Sequence, residues 1–173
     1  GEIHYRGQDV TTHLRGLPIA FIHQDLGLIE WMTVAENISL MLGYPRRFGV
    51  IDWNAARSRA ARALATLGAD IDPDQRVQEL TRTDKSMVAI ARALAADAEL
   101  LVLDEPTTGQ DAVNIARIAH VIRALRERGK TVITITHDID FCAENFERVI
   151  AMAQGQVLLD GPANDVLGQE ETL

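Results

Sequence analysis

Residues 100–107 read Leu100-Leu101-Val102-Leu103-Asp104-Glu105-Pro106-Thr107, and this stretch decides the fold. Four apolar residues in a row, with no alternation, describe a strand covered on both faces, as in a parallel sheet. Two carboxylates follow at once. In open α/β sheets, ligands collect at the carboxyl ends of the strands. The run therefore delivers Asp104 and Glu105 to the edge where chemistry is expected. The pair suits a magnesium–nucleotide site. Mg2+ keeps several waters and takes only one or two protein carboxylates, so Asp104 is assigned to the metal. Glu105 is assigned to an attacking water, as a positioned base. A phosphate cradle of the form G-x-x-x-x-G-K-[ST] is absent from the 173 residues.

Working outward, a helix with Met87, Ile90, Ala91 and Leu94 on its apolar face leads into this strand. A second helix follows it over about Asp111 to Arg128, with Ile115, Ile118, Ile122 and Leu125 on one face and Gly129 as its stop. Thr131 to Thr136 is β-branched throughout and reads as a strand. His137 ends it, on the same sheet edge as Glu105. Histidine there can donate to a γ-phosphate and sense its loss. Pro18 to His23 is another strand, followed by Gln24, whose amide can bind metal-held water. Gly1 to Val10 reads as one short alternating strand.

The middle of the chain is helical. Thr33-Val34-Ala35-Glu36 is a capping box for a helix running to about Leu42. Asp52 caps the next, whose apolar stripe is Trp53, Ala56, Ala60, Leu64 and Leu67, with Gly68 as its stop. Arg57, Arg59 and Arg62 lie off that stripe and read as a solvated face. Asp70 to Asp74 is a loop. Near the end, Arg148 to Ala153 and Gln156 to Asp160 form a hairpin turning at Gln154-Gly155. The expected fold is α/β, with a core sheet from 1–32 and 97–173 and an inserted helical subdomain over 33–96.

A hydrophobic fraction of 47% supports a packed core and excludes global disorder. The net charge of −8 argues against a nucleic-acid-binding surface. Cys142 is the only cysteine, so no disulfide forms within the chain. Cys142 reads as packing. No apolar run approaches the roughly 18 residues of a membrane span.

In their order along the chain, these stretches resemble the ATP-binding cassette (ABC) ATPases. Leu100 to Glu105 resembles the Walker B strand, and Ile135-Thr136-His137-Asp138 the H-loop. His23-Gln24-Asp25-Leu26-Gly27-Leu28, with Met32-Thr33-Val34-Ala35-Glu36-Asn37-Ile38, resembles the Q-loop and the helix after it. Thr108-Gly109-Gln110-Asp111 occupies the D-loop position. The resemblance implies an incomplete P-loop NTPase core sheet, with its Walker A strand, loop and helix upstream of Gly1. It implies ATP and Mg2+ as ligands, with Asp104 and Gln24 at the metal. Glu105 and His137 become catalytic, and Asp111 lines a dimer interface while suiting the N-cap of its helix. Trp31, just before the helix at Thr33, reads equally as a docking residue and as core.

The signature segment departs from the family pattern. The family carries L-S-G-G-Q ahead of a helix whose N–H groups and serine grip the γ-phosphate of the opposite subunit. Here the aligned residues are Leu80-Thr81-Arg82-Thr83-Asp84. Thr81 can stand in for the serine. Arg82 and Thr83 remove both glycines and with them the easy access to positive φ. Asp84 brings negative charge, which Arg82 can offset by pairing with phosphate. This variant, Met87, His23 to Ile29 and Phe48 to Trp53 resemble the first module of ribose- and xylose-type sugar importers. The implied function is an importer ATPase at the cytoplasmic face of the membrane. Its partners would be transmembrane permease subunits, a second ABC module and, indirectly, a solute-binding protein, with no nucleic acid. The alternatives are a non-catalytic or truncated module, and a non-transport ABC ATPase. Without a Walker A loop, this chain alone is expected to hold ATP poorly.

Overall fold

The computed structural model describes residues 1–12 and 16–168, so residues 169–173 of the expected 97–173 core segment lie outside the described residues. The chain opens on two short antiparallel strands, β1 (His4–Tyr5) and β2 (Gln8–Asp9). The single strand expected over Gly1 to Val10 is thus a hairpin. Arg6 and Gly7 turn it, both at positive φ. Strand β3 (Ile19–Ile22) follows, and then helix α1 (Val34–Leu42), a small hairpin of β4 (Arg46–Arg47) and β5 (Val50–Ile51), and helix α2 (Trp53–Thr66). A 3-10 turn (Val77–Glu79) precedes helix α3 (Arg82–Ala95), which leads into β6 (Leu100–Asp104). Helix α4 (Ala112–Glu127) connects to β7 (Thr131–Ile135). The described chain closes with α5 (Ile139–Asn145), β8 (Arg148–Ala153), β9 (Gln156–Pro162) and α6 (Ala163–Leu167).

Strands β3, β6 and β7 form a parallel sheet in that order, with β6 in the centre. Register aligns Phe21 with Val102 and Ile133, Ile22 with Leu103 and Thr134, and Asp104 with Ile135. Alternation then separates two faces. Ile22, Leu101 and Leu103 lie on one face, within the buried cluster that includes Met87 and Ile90 of α3 and Ile118, Ile122 and Leu125 of α4. On the other face Phe21, Ile133 and Ile135 stand about half exposed. Parallel sheets are ordinarily covered on both faces. Among the described residues, no helix supplies that second cover to β7.

Caps explain where the helices begin. Thr33 Oγ1 accepts from Glu36 N at 3.2 Å and Glu36 Oε2 accepts from Thr33 N at 2.7 Å, the reciprocal box expected. Asp52 accepts from Ala55 N at 3.0 Å and so starts α2. Helices α1, α2 and α3 pack against one another around Val34, Ile38, Ala60, Leu64 and Val88. Arg57 pairs with Asp74 at 2.6 Å, and Arg59 donates to the Gly43 carbonyl at 3.2 Å, so the arginine face is solvated and locally paired. The expected Arg148 hairpin forms, with Gln154 and Gly155 at positive φ as its turn.

The β4–β5 hairpin, α5 and α6 had no counterpart in the sequence reading. The first is pinned by Phe48 and Gly49, both at positive φ, which is the geometry of a tight two-residue turn. Phe48 at its tip is 94% exposed. Trp31 is 70% exposed, so it belongs to the surface and not to the core.

Candidate functional site

Strand β6 ends at Asp104, and the chain turns sharply at Glu105, which sits at φ +49. A non-glycine residue in this left-handed region is held there by its surroundings. Here the holding contact is visible: Glu105 N donates to the Ile135 carbonyl at 2.8 Å, extending the β6–β7 pairing by one bond. Sheet register therefore places the carboxylate. Glu105 Oε1 lies 2.9 Å from His137 Nδ1. Its Oε2 accepts from Thr108 Oγ1 at 3.0 Å, with Thr136 Oγ1 at 3.5 Å. Glu105 and His137 are thus brought together, as strand alignment predicts.

The two groups tune each other. Partial burial acts to raise the Glu105 carboxyl, but the hydrogen bonds from His137, Thr108 and Thr136 and the His137 charge outweigh it and hold the carboxyl below its ordinary range. His137 moves up, through its hydrogen bond and charge attraction to Glu105, with a smaller contribution from Asp138. The result is a carboxyl and an imidazole at the strand ends, each shifted toward its charged form by the other. The His137 ring is largely exposed, so it remains open to a ligand.

Gln24 and Asp104 line one cleft with Arg82, Leu26 and Pro106. Among the described residues no group of three or more His, Cys, Asp and Glu side chains could cage a metal. One carboxylate and one amide beside open space do fit a hydrated Mg2+, which needs few protein ligands. The β- and γ-phosphate cradle has no counterpart in the sequence.

At the altered signature, α3 begins at Arg82, with Thr81 as its N-cap. The aligned residues Arg82, Thr83 and Asp84, expected ahead of the helix, form its own first turn. Three non-glycine residues accept helical backbone readily, and the Thr81 side chain accepts from Asp84 N at 3.2 Å. Thr81 Oγ1 also donates to Asp84 Oδ2 at 2.7 Å, so its hydroxyl is engaged locally. Asp84 Oδ1 pairs with Arg117 at 3.3 Å, an arginine on α4. The guanidinium of Arg82 lies 3.9 Å from where a Gly109 side chain would start. Asp111 caps α4, accepting from Asn114 N at 2.8 Å. Cys142 is partly covered on α5, and burial raises its thiol, which suits a packing role.

Two residues that sequence reasoning passed over hold the Gln24 segment in place. Asn37 is fully buried in α1. Its Oδ1 accepts from Ile29 N at 2.8 Å, and its Nδ2 donates to the carbonyls of Ile29 and Thr33, each at 3.0 Å. Arg92 of α3 donates to the Leu26 carbonyl at 2.9 Å and the Gly27 carbonyl at 2.7 Å. Leu26 and Gly27 both have positive φ, so the arginine clamps a turn that points its carbonyls outward. Each could have been noticed as a polar residue inside an apolar helical stripe.

The family model of the ABC transporter matches residues 1–108. The chain is 38% identical over 148 residues to the ribose import ATP-binding protein RbsA of Caldanaerobacter subterraneus, covering 86% of this chain and 30% of that one. It spans about a third of the length of the curated relatives it matches. Among solved structures it resembles cbiO1 from Clostridium perfringens, part of the ABC transporter complex cbiONQ, with a TM-score of 0.81 and 27% identity over 99% of this chain and 69% of that one. It also resembles a dimeric post-hydrolysis state of the ATP-binding cassette MJ0796 bound to ADP and Pi, with a TM-score of 0.76 and 26% identity over 94% of this chain and 73% of that one. Walker B-like strand, parallel α/β sheet and these matches agree, and the chain belongs to the ABC transporter family of ATP-binding proteins.

Proposed function

We propose that this chain is the metal- and water-handling part of an ATPase module that drives import of a sugar. The Glu105–His137 pair at 2.9 Å carries the reading. A carboxylate held ionised at the end of a strand, with an imidazole aligning it, is suited to take a proton from water. Glu105 orients the attacking water and accepts its proton as the water oxygen bonds to the γ-phosphorus and ADP leaves. His137 holds the carboxylate and donates toward the γ-phosphate. Bound Mg2+, held by Asp104 and Gln24, would neutralise charge on the phosphates.

Arg82 supplies a cation at the same cleft, and the first N–H groups of α3 lack intrahelical acceptors, as at any helix start. Both suit a phosphate. Thr81 and Asp111 would face a second module across a dimer. The helical subdomain over 33–96, with Phe48 on its surface and Trp31 just before it, would meet a membrane-spanning partner. No described helix is long and apolar enough to cross a membrane itself. Sugar as the cargo is supported by the names of relatives such as the ribose import ATP-binding protein.

A second reading, a module that does not hydrolyse ATP, is favoured by the altered signature. Glu105→Gln in a complete module separates the two. Under the first reading turnover disappears while ATP binding stays. Full turnover would sink the assignment of Glu105. On the same reasoning the chain by itself shows no specific ATP affinity, and a micromolar dissociation constant by calorimetry would refute the account of the missing cradle.

A further inference from the structure

Three of the four residues that depart from the signature pattern face one stretch of chain, the segment from Gly109 to Arg117. Thr83 is 1% exposed, and its Oγ1 donates to Gln110 Oε1 at 2.7 Å. Asp84 pairs with Arg117 at 3.3 Å. The Arg82 guanidinium is near Gly109, 3.9 Å from where a Cβ on that glycine would stand, an ordinary contact distance. A buried hydroxyl with a well-placed acceptor is costly to strip of its partner. The segment it grips begins in the loop that carries Glu105. Within that loop Gln110 N donates to the Thr107 carbonyl at 3.1 Å, Thr108 N to the Glu105 carbonyl at 3.3 Å, and Thr108 Oγ1 to the Glu105 carboxylate at 3.0 Å. A chain of direct hydrogen bonds and short backbone steps thus joins the start of α3 to Glu105.

We propose that Arg82, Thr83 and Asp84 form an intramolecular clasp on the Gly109–Arg117 segment, with Thr83 and Gln110 as positioning residues for the loop that carries Glu105. The start of α3 and that loop then move as one unit. Glycines at 82 and 83 would offer no side chain to make these contacts. Thr83 and Asp84 are therefore committed within the same chain, while the Arg82 guanidinium stays at the cleft. For its consequence in catalysis, the clasp rests on the role of Glu105 proposed above.

Amide hydrogen exchange on this chain tests the clasp without reference to ATP. Thr83→Val keeps the shape and removes the donor. Exchange at the Thr108 and Gln110 amides should rise about tenfold, while Ile118 and Ile122 in α4 stay within twofold. Gln110→Leu should give the same rise, the double variant no more than either single one, and Thr83→Ser should restore protection. Unchanged exchange at Thr108 and Gln110 overturns the clasp. A uniform rise that includes Ile118 and Ile122 also overturns it, because that signals general loosening. In a complete module, Thr83→Val should lower kcat several-fold with KM for ATP unchanged. Loop exchange that rises while kcat holds leaves the contact standing and overturns the positioning role given to Thr83 and Gln110, whereas the role of Glu105 itself fails only if Glu105→Gln keeps full turnover.

Discussion

The strand ends at Glu105 and His137 and the helix start at Thr81 to Asp84 both carry polar residues toward one cleft, yet they are built differently. At the strand ends the backbone sets the geometry. Register of β6 against β7, extended by the bond from Glu105 N to Ile135 O, brings the two side chains together. At the helix start the side chains set it. Thr81 caps, Thr83 reaches Gln110, and Asp84 reaches Arg117. A site placed by register tolerates change around it, because ladder hydrogen bonds do not depend on side-chain identity. A site placed by side chains can be rebuilt by a few substitutions. The residues that resemble the Walker B strand and the H-loop lie in the first kind of site, and the segment that departs from the expected signature lies in the second.

The most severe test of this contrast is Glu105→Gln in a complete module. Turnover should fall by about 10²–10⁴-fold with the fold intact, as judged by an unchanged melting curve. A loss of folding would show that the carboxylate is structural and erase the distinction.

Next comes Asn37, a side chain that does backbone work at the segment after Gln24. Asn37→Ala leaves the Ile29 and Thr33 groups without their partners and should destabilise the chain by about 2–3 kcal/mol, measured by urea unfolding. A loss well under 1 kcal/mol would mean that the Ile29–Thr33 turn holds itself.

Arg82→Ala should weaken ATP-dependent dimerisation of a complete module by about tenfold, read by sedimentation. An unchanged dimer would remove Arg82 from the phosphate side and leave it to the Gly109 contact alone.

The smallest effect concerns pH. His137 is raised by Glu105, so its contribution is complete below the ordinary imidazole value and fades as pH climbs through the raised one. Glu105 is lowered, so its contribution is complete above the ordinary carboxyl value and fades as pH falls through the depressed one. The pair is strongest between the ordinary carboxyl and imidazole ranges. In Glu105→Gln the His137 ring should titrate lower, by NMR, and an unmoved midpoint would show that the two groups do not sense each other.

Much of this was legible in the residues. The run Leu100 to Leu103 is buried at its centre, as an uninterrupted apolar strand should be, and Thr33, Asp52 and Asp111 cap the helices that they were expected to cap. The joining of Glu105 and His137 followed from two strands ending on one edge. Long-range pairing of polar side chains was not legible. Nothing in the spacing of Thr83 and Gln110, or of Arg92 and Gly27, shows that they meet, because α3 must first pack before those distances exist. Short elements also escaped. The β4–β5 hairpin has only two residues per strand, too few for any period to appear.

The left-handed backbone of Glu105 has a consequence for how this protein would change under selection. For a residue with a side chain, that conformation costs about 1 kcal/mol or more, whereas glycine adopts it freely, though glycine loses more freedom on folding. A screen that rewards heat resistance alone would thus weigh this backbone gain against the hydrogen bonds Glu105 makes to His137 and Thr108, with no regard for the hydrolytic role proposed for it. Wherever that balance tips toward glycine, the proposed role is lost while the fold stays.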